Sequence, residues 1–121
     1  MGFNDQMRDR TKKFSLRIIK LFQALPKNDE ARIIGKQLLR SGCSVGANFR
    51  AASRARSGKE FYSKLCIVVE EADETAFWME LLMEAGIVTE KKMNAIYNEA
   101  IELTKITAVS RKTFKRNETK K

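Results

Sequence analysis

The chain reads as an all-α, antiparallel up-down four-helix bundle, and three observations carry that reading. Apolar residues recur at three- and four-residue spacing through four stretches that fill nearly the whole sequence. No segment alternates apolar and polar residues over a strand's length. The only proline, Pro26, falls between two of the helical stretches. A length of 121 residues suits one core, so residues 1–121 are read as a single domain.

The first helix is predicted over residues 7–25. Phe14, Ile18, Leu21, Phe22 and Leu25 fall on its core side, and Pro26 stops it because the residue before a proline is pushed out of the helical region. Arg10, Lys13, Arg17 and Lys20 form a second row beside that face. The second helix is predicted over 29–55, with Asn28 as its N-cap and Asp29 and Glu30 in the first turn, where carboxylates meet the positive end of the dipole. Ala31, Ile34, Leu38, Val45, Phe49 and Ala52 share one face of it. Arg32, Lys36, Arg40, Arg50 and Arg54 gather on the other.

Ser57-Gly58-Lys59-Glu60 fits a capping box and opens a third helix over 58–85, with Gly86 as its left-handed stop. Phe61, Leu65, Val68, Ala72, Ala76, Met79 and Met83 make one apolar stripe. Tyr62, Cys66, Val69, Phe77, Trp78 and Leu81 make a second along its flank, beside Glu70, Asp73, Glu74 and Glu80. That is more apolar surface than one helix of a monomer needs, so the flank is read as an oligomer interface. The fourth helix is predicted over 89–113 with Thr89 as cap and Met93, Ile96, Tyr97, Ala100, Ile101, Thr104 and Ala108 inward. A basic tail, 114–121, is expected to fray.

Charge narrows the function classes. The net charge is +9 with a pI near 9.8, which favours an anionic partner, nucleic acid ahead of a membrane surface. The charge is also segregated. Residues 1–65 hold 15 Lys and Arg against 5 Asp and Glu, residues 66–104 hold 2 against 9, and residues 105–121 hold 7 against 1. A basic region and a separate acidic one are therefore expected on one small body. No apolar run approaches the ~20 residues needed to cross a bilayer, and the start of the chain has no signal-like core, so a cytoplasmic protein without membrane attachment is expected.

The chain has no histidine. Histidine-assisted serine or cysteine catalysis and histidine-ligated metals are thereby excluded. Glu70 with Glu74, and Glu80 with Glu84, share helix faces, but a di-iron bundle site needs Glu-x-x-His, which is missing. Cys43 and Cys66 lack metal or redox spacing and read as reduced, packed thiols. No catalytic residue, cofactor or metal is expected. The string from Ser41 to Asn48 resembles a phosphate loop only superficially, since the P-loop lysine is absent and no strand precedes it. Gly42 and Gly46 stand one turn apart and would let another helix approach closely, with Ser44 and Asn48 placed to hydrogen-bond across the contact.

Ser44-Val45-Gly46-Ala47-Asn48, Ser53-Arg54-Ala55-Arg56-Ser57 and Glu71-Ala72-Asp73-Glu74, set within the stretch from Leu39 to Leu82, are similar to the bacterial four-helix bundle proteins encoded within intervening sequences of 23S ribosomal RNA genes. That resemblance covers about residues 10–110 and implies a small basic bundle assembled as a homopentameric ring. It extends to accessory proteins of diversity-generating retroelements, which implies a basic surface that binds nucleic acid and a reverse transcriptase as a further partner. Many members carry Asn-Ile-Ala-Glu where this chain has Asn48-Phe49-Arg50-Ala51, so here an arginine enters the basic face.

Two functions are therefore expected to compete. One is non-enzymatic, electrostatic binding of nucleic acid, RNA ahead of DNA, by Arg10, Lys13, Arg17, Lys20, Arg32, Lys36, Arg40, Arg50 and Arg54 of a homo-oligomer. The other is an interaction scaffold that docks a basic polymerase, or a neighbouring subunit, on the acidic third helix.

Overall fold

The computed structural model describes residues 2–119 and is helical almost throughout: α1 Phe3–Gln23, α2 Asp29–Ser53, α3 Gly58–Glu84 and α4 Glu90–Thr119. No strand occurs among the described residues. Several boundaries move from the sequence expectation: α1 ends at Gln23 rather than 25, and the end of α3 and the start of α4 each shift by one residue. α1 begins four residues earlier, at Phe3, whose ring packs edge-on against buried Phe49 at 6.3 Å. α2 ends at Ser53 rather than 55. α4 continues to Thr119, so most of the expected frayed tail is helix; Lys120 and Lys121 lie outside the described residues.

The predicted caps form. Asn28 Oδ1 accepts from the Ala31 amide at 3.0 Å, and Ser57 Oγ accepts from the Glu60 amide at 3.1 Å. Glu60 reaches back to the amide of Arg56 at 3.4 Å, one residue earlier than a reciprocal capping box would have it. Gly86 adopts φ +74°, after which the amides of Ile87 and Val88 return to the Leu82 carbonyl at 2.9 and 3.1 Å. That bend puts Ile87 and Val88 against the core before α4 starts.

α2 packs on α1 and α3, and α3 on α4, while the contact of α1 with α4 is the slightest of the four. The shared core holds Phe14 and Ile18 of α1, Leu38, Val45 and Phe49 of α2, Leu65, Val68, Met79 and Leu82 of α3, and Met93 and Leu103 of α4, all essentially inaccessible. Each such side chain contributes on the order of 1.5–3 kcal/mol by leaving water. Phe61 and Met83, expected in the inner stripe, sit half-buried at its ends, whereas Thr75 and Leu82 are inside.

Among the described residues four with hydroxyl side chains are buried, and each is satisfied. Thr11 and Thr107 donate to carbonyls one turn back at 2.8 and 2.7 Å. Thr75 and Ser41 meet across the α2–α3 contact at 2.9 Å. Among the described residues no buried side-chain polar atom lacks a hydrogen bond.

Candidate nucleic-acid interface

The glycines of α2 set the geometry of the basic side. A Cβ on Gly42 would come within 2.7 Å of the branched side chain of Ile18, and one on Gly46 within 2.7 Å of Ser15 Oγ and 3.2 Å of the Thr11 carbonyl. Gly42 and Gly46 are thus the close-packing residues that their one-turn spacing suggests. Ser44 and Asn48 do not bond across that contact. Asn48 Nδ2 donates within α2, to the Ser44 carbonyl at 2.9 Å and its hydroxyl at 2.8 Å. The bond across the contact is made by Ser15, 2.9 Å from the Gly42 carbonyl. The two glycines lie on α2's α1-facing side, and Ser44 and Asn48 are turned well away from them, as 100° per residue requires.

Beside this tight contact, residues of α1 and α2 line a groove of about 840 Å³. Ser15, Cys43, Gly46 and Ala47 line it. Arg50 and Arg54 of α2 line it together with Arg8 and Lys12 of α1, and Asp5 and Asp9 stand along the α1 edge. Asp5 is drawn to Arg8 at 2.7 Å and Asp9 to Lys13 at 3.0 Å. Burial pushes the Cys43 thiol up from its ordinary value, so it stays protonated at neutral pH. A smaller hollow of about 190 Å³ at the α1–α2 turn is lined by Lys27, Arg32 and Lys36 over Phe22, Leu25 and Pro26.

The nine cations of the sequence reading separate into three groups. Arg10 turns to α4, where Nε and Nη2 meet the two carboxylate oxygens of Glu99 at 2.8 and 2.7 Å and Nη2 reaches Glu102 at 3.2 Å. Hydrogen bonding to Glu99 raises the Arg10 pKa and lowers that of Glu99. Arg40 turns to α3 and engages Glu71 and Glu74. Both are committed within the chain, which corrects their place in an open basic face: each stands at a flank where its helix meets an acidic neighbour. Lys13 and Arg32 make exposed pairs with residues of their own helices, Asp9 and Asp29, which are weak ties. Arg17, Lys20, Lys36, Arg50 and Arg54 are exposed and make no ion pair among the described residues.

Only Arg50 and Arg54 share the larger groove, and their partners there are two cations the sequence reading passed over. Arg8 and Lys12 stand four residues apart and on one face with Ser15, a spacing that could have found them. Lys13, Arg17 and Lys20 run along a different face of α1, on the side where Arg10 reaches α4.

The acidic flank is organised as well. Glu74 takes both Arg40 and the Trp78 indole N–H, the latter at 2.9 Å, and Glu80 accepts from the Tyr97 hydroxyl at 2.9 Å. That bond to Glu80, with burial, raises the Tyr97 pKa. Tyr62, Cys66, Val69, Trp78 and Leu81 are half-buried, and Phe77, 48% exposed, packs edge-on against Trp78 at 5.0 Å. Among the described residues no three Cys, Asp or Glu side chains gather as metal ligands, and no helix is long and apolar enough to cross a membrane.

A family model described as 23S rRNA-intervening sequence protein matches residues 4–108. No curated protein matches the chain. A crystal structure of a protein of unknown function from the S23 ribosomal protein family of Bacteroides thetaiotaomicron VPI-5482 is similar, at 35% identity and a TM-score of 0.83, covering 90% of this chain and 97% of that one.

Proposed function

The chain belongs to the 23S rRNA-intervening sequence protein family, and on that premise we propose that it is a non-enzymatic, cytoplasmic nucleic-acid-binding protein that holds RNA, in preference to DNA, by its phosphates. The observation that carries this reading is the groove in which Arg50 and Arg54 face Arg8 and Lys12. Cations on two rigid helices, aimed at one channel, lose little freedom when a phosphate arrives. None of the described residues that line it is aromatic, so the contact is electrostatic and weakly sequence-specific.

The proposal includes an antiparallel bundle and a homopentameric ring. Gly35, Gly42 and Gly46 meet Phe22, Ile18 and Ser15 in turn, numbers rising on α2 as they fall on α1, which supports the antiparallel order. A ring would repeat each weak groove and raise avidity without new contacts. The test is the dependence of RNA affinity on salt, by fluorescence anisotropy, for the wild type and the R50E/R54E variant. A steep slope that becomes shallow in the variant is expected. A flat wild-type slope overturns the reading.

A second reading has its own support. Phe77 is an exposed aromatic ring in a stretch that also carries Glu70 and Asp73, suited to docking a basic protein such as a reverse transcriptase or another copy of the chain. Charge reversal at Arg17 and Arg50 separates the two functions: partner capture would survive it, and RNA binding would not.

A further inference from the structure

α4 stays helical through its lysine-rich end because Phe114 docks on the first turns of α3. Its ring lies 5.2 Å from that of Phe61 and 6.3 Å from that of Tyr62. Gly58 makes the room, since a Cβ there would come within 2.9 Å of Phe114. The docked helix holds Lys115 Nζ 5.1 Å from the centre of the Tyr62 ring. Helical spacing puts Arg111 on the Lys115 flank of α4 and Lys59 on the Tyr62 flank of α3.

Two carboxylates are close by. Glu60 is turned back on the Arg56 amide, and Glu118 lies beside Gly58. Across the turn, Arg54 is both the C-cap of α2 and a residue that lines the groove, and Arg56 follows two residues later. Cations therefore continue from the groove, round the α2–α3 turn, to the docked end of α4.

We infer that Lys59, Arg111 and Lys115 form a second phosphate-binding site, which with Arg56 guides a single-stranded polynucleotide leaving the groove at Arg54. This rests on the nucleic-acid reading above. The path bends round a turn within one small domain. A duplex is stiff over ~150 base pairs and cannot follow it, whereas a single strand can. Docking matters as much as charge: Phe114 fixes cations that would otherwise sweep through water on a loose end, so their binding costs less ordering.

The test compares the full chain with K59Q/R111Q/K115Q, F114A and R50Q/R54Q, each titrated between about 50 and 200 mM salt against a fluorescein-labelled single-stranded RNA, the matching DNA and an RNA hairpin duplex. The triple variant should bind roughly tenfold more weakly at the low end, with a salt slope smaller by about 2. F114A keeps every charge and should still weaken binding, while circular dichroism and a cooperative melt confirm its fold. The triple substitution should cost the RNA and DNA strands the same factor, and the duplex, which binds less well, a smaller one. A triple variant with wild-type slope, beside a weakened R50Q/R54Q, overturns the second site and leaves the groove. Equal binding of duplex and single strand overturns the bent path, and a wild type that binds none of the three overturns both proposals.

Discussion

Arg10 of α1 grips Glu99 of α4 through two parallel hydrogen bonds, 2.8 and 2.7 Å long, across the slight contact of the two terminal helices. The pair matters because little else ties that edge. The Glu99 side chain is 16% exposed and that of Arg10 36%, so solvent weakens the attraction only in part.

The Arg10 guanidinium holds the Glu99 carboxyl below its ordinary value of 4.5. A carboxylate whose folded pKa is depressed adds stability above the unfolded pKa and loses it as pH falls through the folded one. The urea midpoint of the wild type should therefore hold down to the ordinary carboxylate range and drop below it. E99Q should cost about 1 kcal/mol at neutral pH and flatten that acid limb. Parallel acid limbs for the two proteins would remove the clasp from the account.

Glycine substitutions in α2 should divide by what they strike. Alanine in a helix interior gains about 1 kcal/mol over glycine when space allows. At Gly35 the nearest obstacle, at 2.7 Å, is the flexible tip of Leu25, so G35A should be neutral or slightly stabilising. G42A drives a methyl into the branch of buried Ile18, also at 2.7 Å, and should lose about 1–3 kcal/mol. Thermal melts rank the two, and a reversed order would contradict the close contact of α1 and α2.

Arg40 and Arg50 stand on the same helix with opposite commitments. Arg40 is held by Glu71 and Glu74, whereas Arg50 makes no ion pair and lines the groove. R50Q should reduce the salt slope of RNA binding by about 1 with little change in melting temperature. R40Q should leave the slope alone and leave Glu71 and Glu74 without their cation, lowering stability by roughly 1 kcal/mol. An R40Q variant that loses RNA affinity as strongly as R50Q would show that the ion pairs open on binding.

Cys43 reports on the groove directly. Its thiol pKa is raised by burial, so alkylation by iodoacetamide at neutral pH should be slower than for a free cysteine. In a C66S background, saturating single-stranded RNA should slow it further, because the strand covers the groove that Cys43 lines. A rate unchanged by RNA places the strand elsewhere.

Much of this was legible in the residues. Phe14, Leu38, Leu65 and Met93 are buried as their helical spacing predicts, and Asn28 and Ser57 cap as their side chains allow. Thr11, Thr75 and Thr107 carry no apolar signal in the sequence, yet each enters the core because its hydroxyl donates to a carbonyl one turn back. The end of α4 escaped for a different reason. Its lysines argue for fraying, but one ring, Phe114, finds Phe61 and Tyr62 far away in the chain.

The chain alone determined the number of helices, their caps, part of each inner stripe and the separation of basic from acidic segments, because period, capping and local charge act over a few neighbouring residues; Tyr97, Ile101, Thr104 and Ala108, expected inward on α4, are only half-buried, with Leu103 and Thr107 inside instead. Which cations are committed and which remain open was decided by the fold. How α1 is rotated against α2 and α4 sends Arg10 to Glu99 and brings Arg8 and Lys12 beside Arg50 and Arg54. That rotation is set by how Ile18 seats on Gly42 and Ser15 on Gly46, contacts between residues distant in sequence that no helical period encodes.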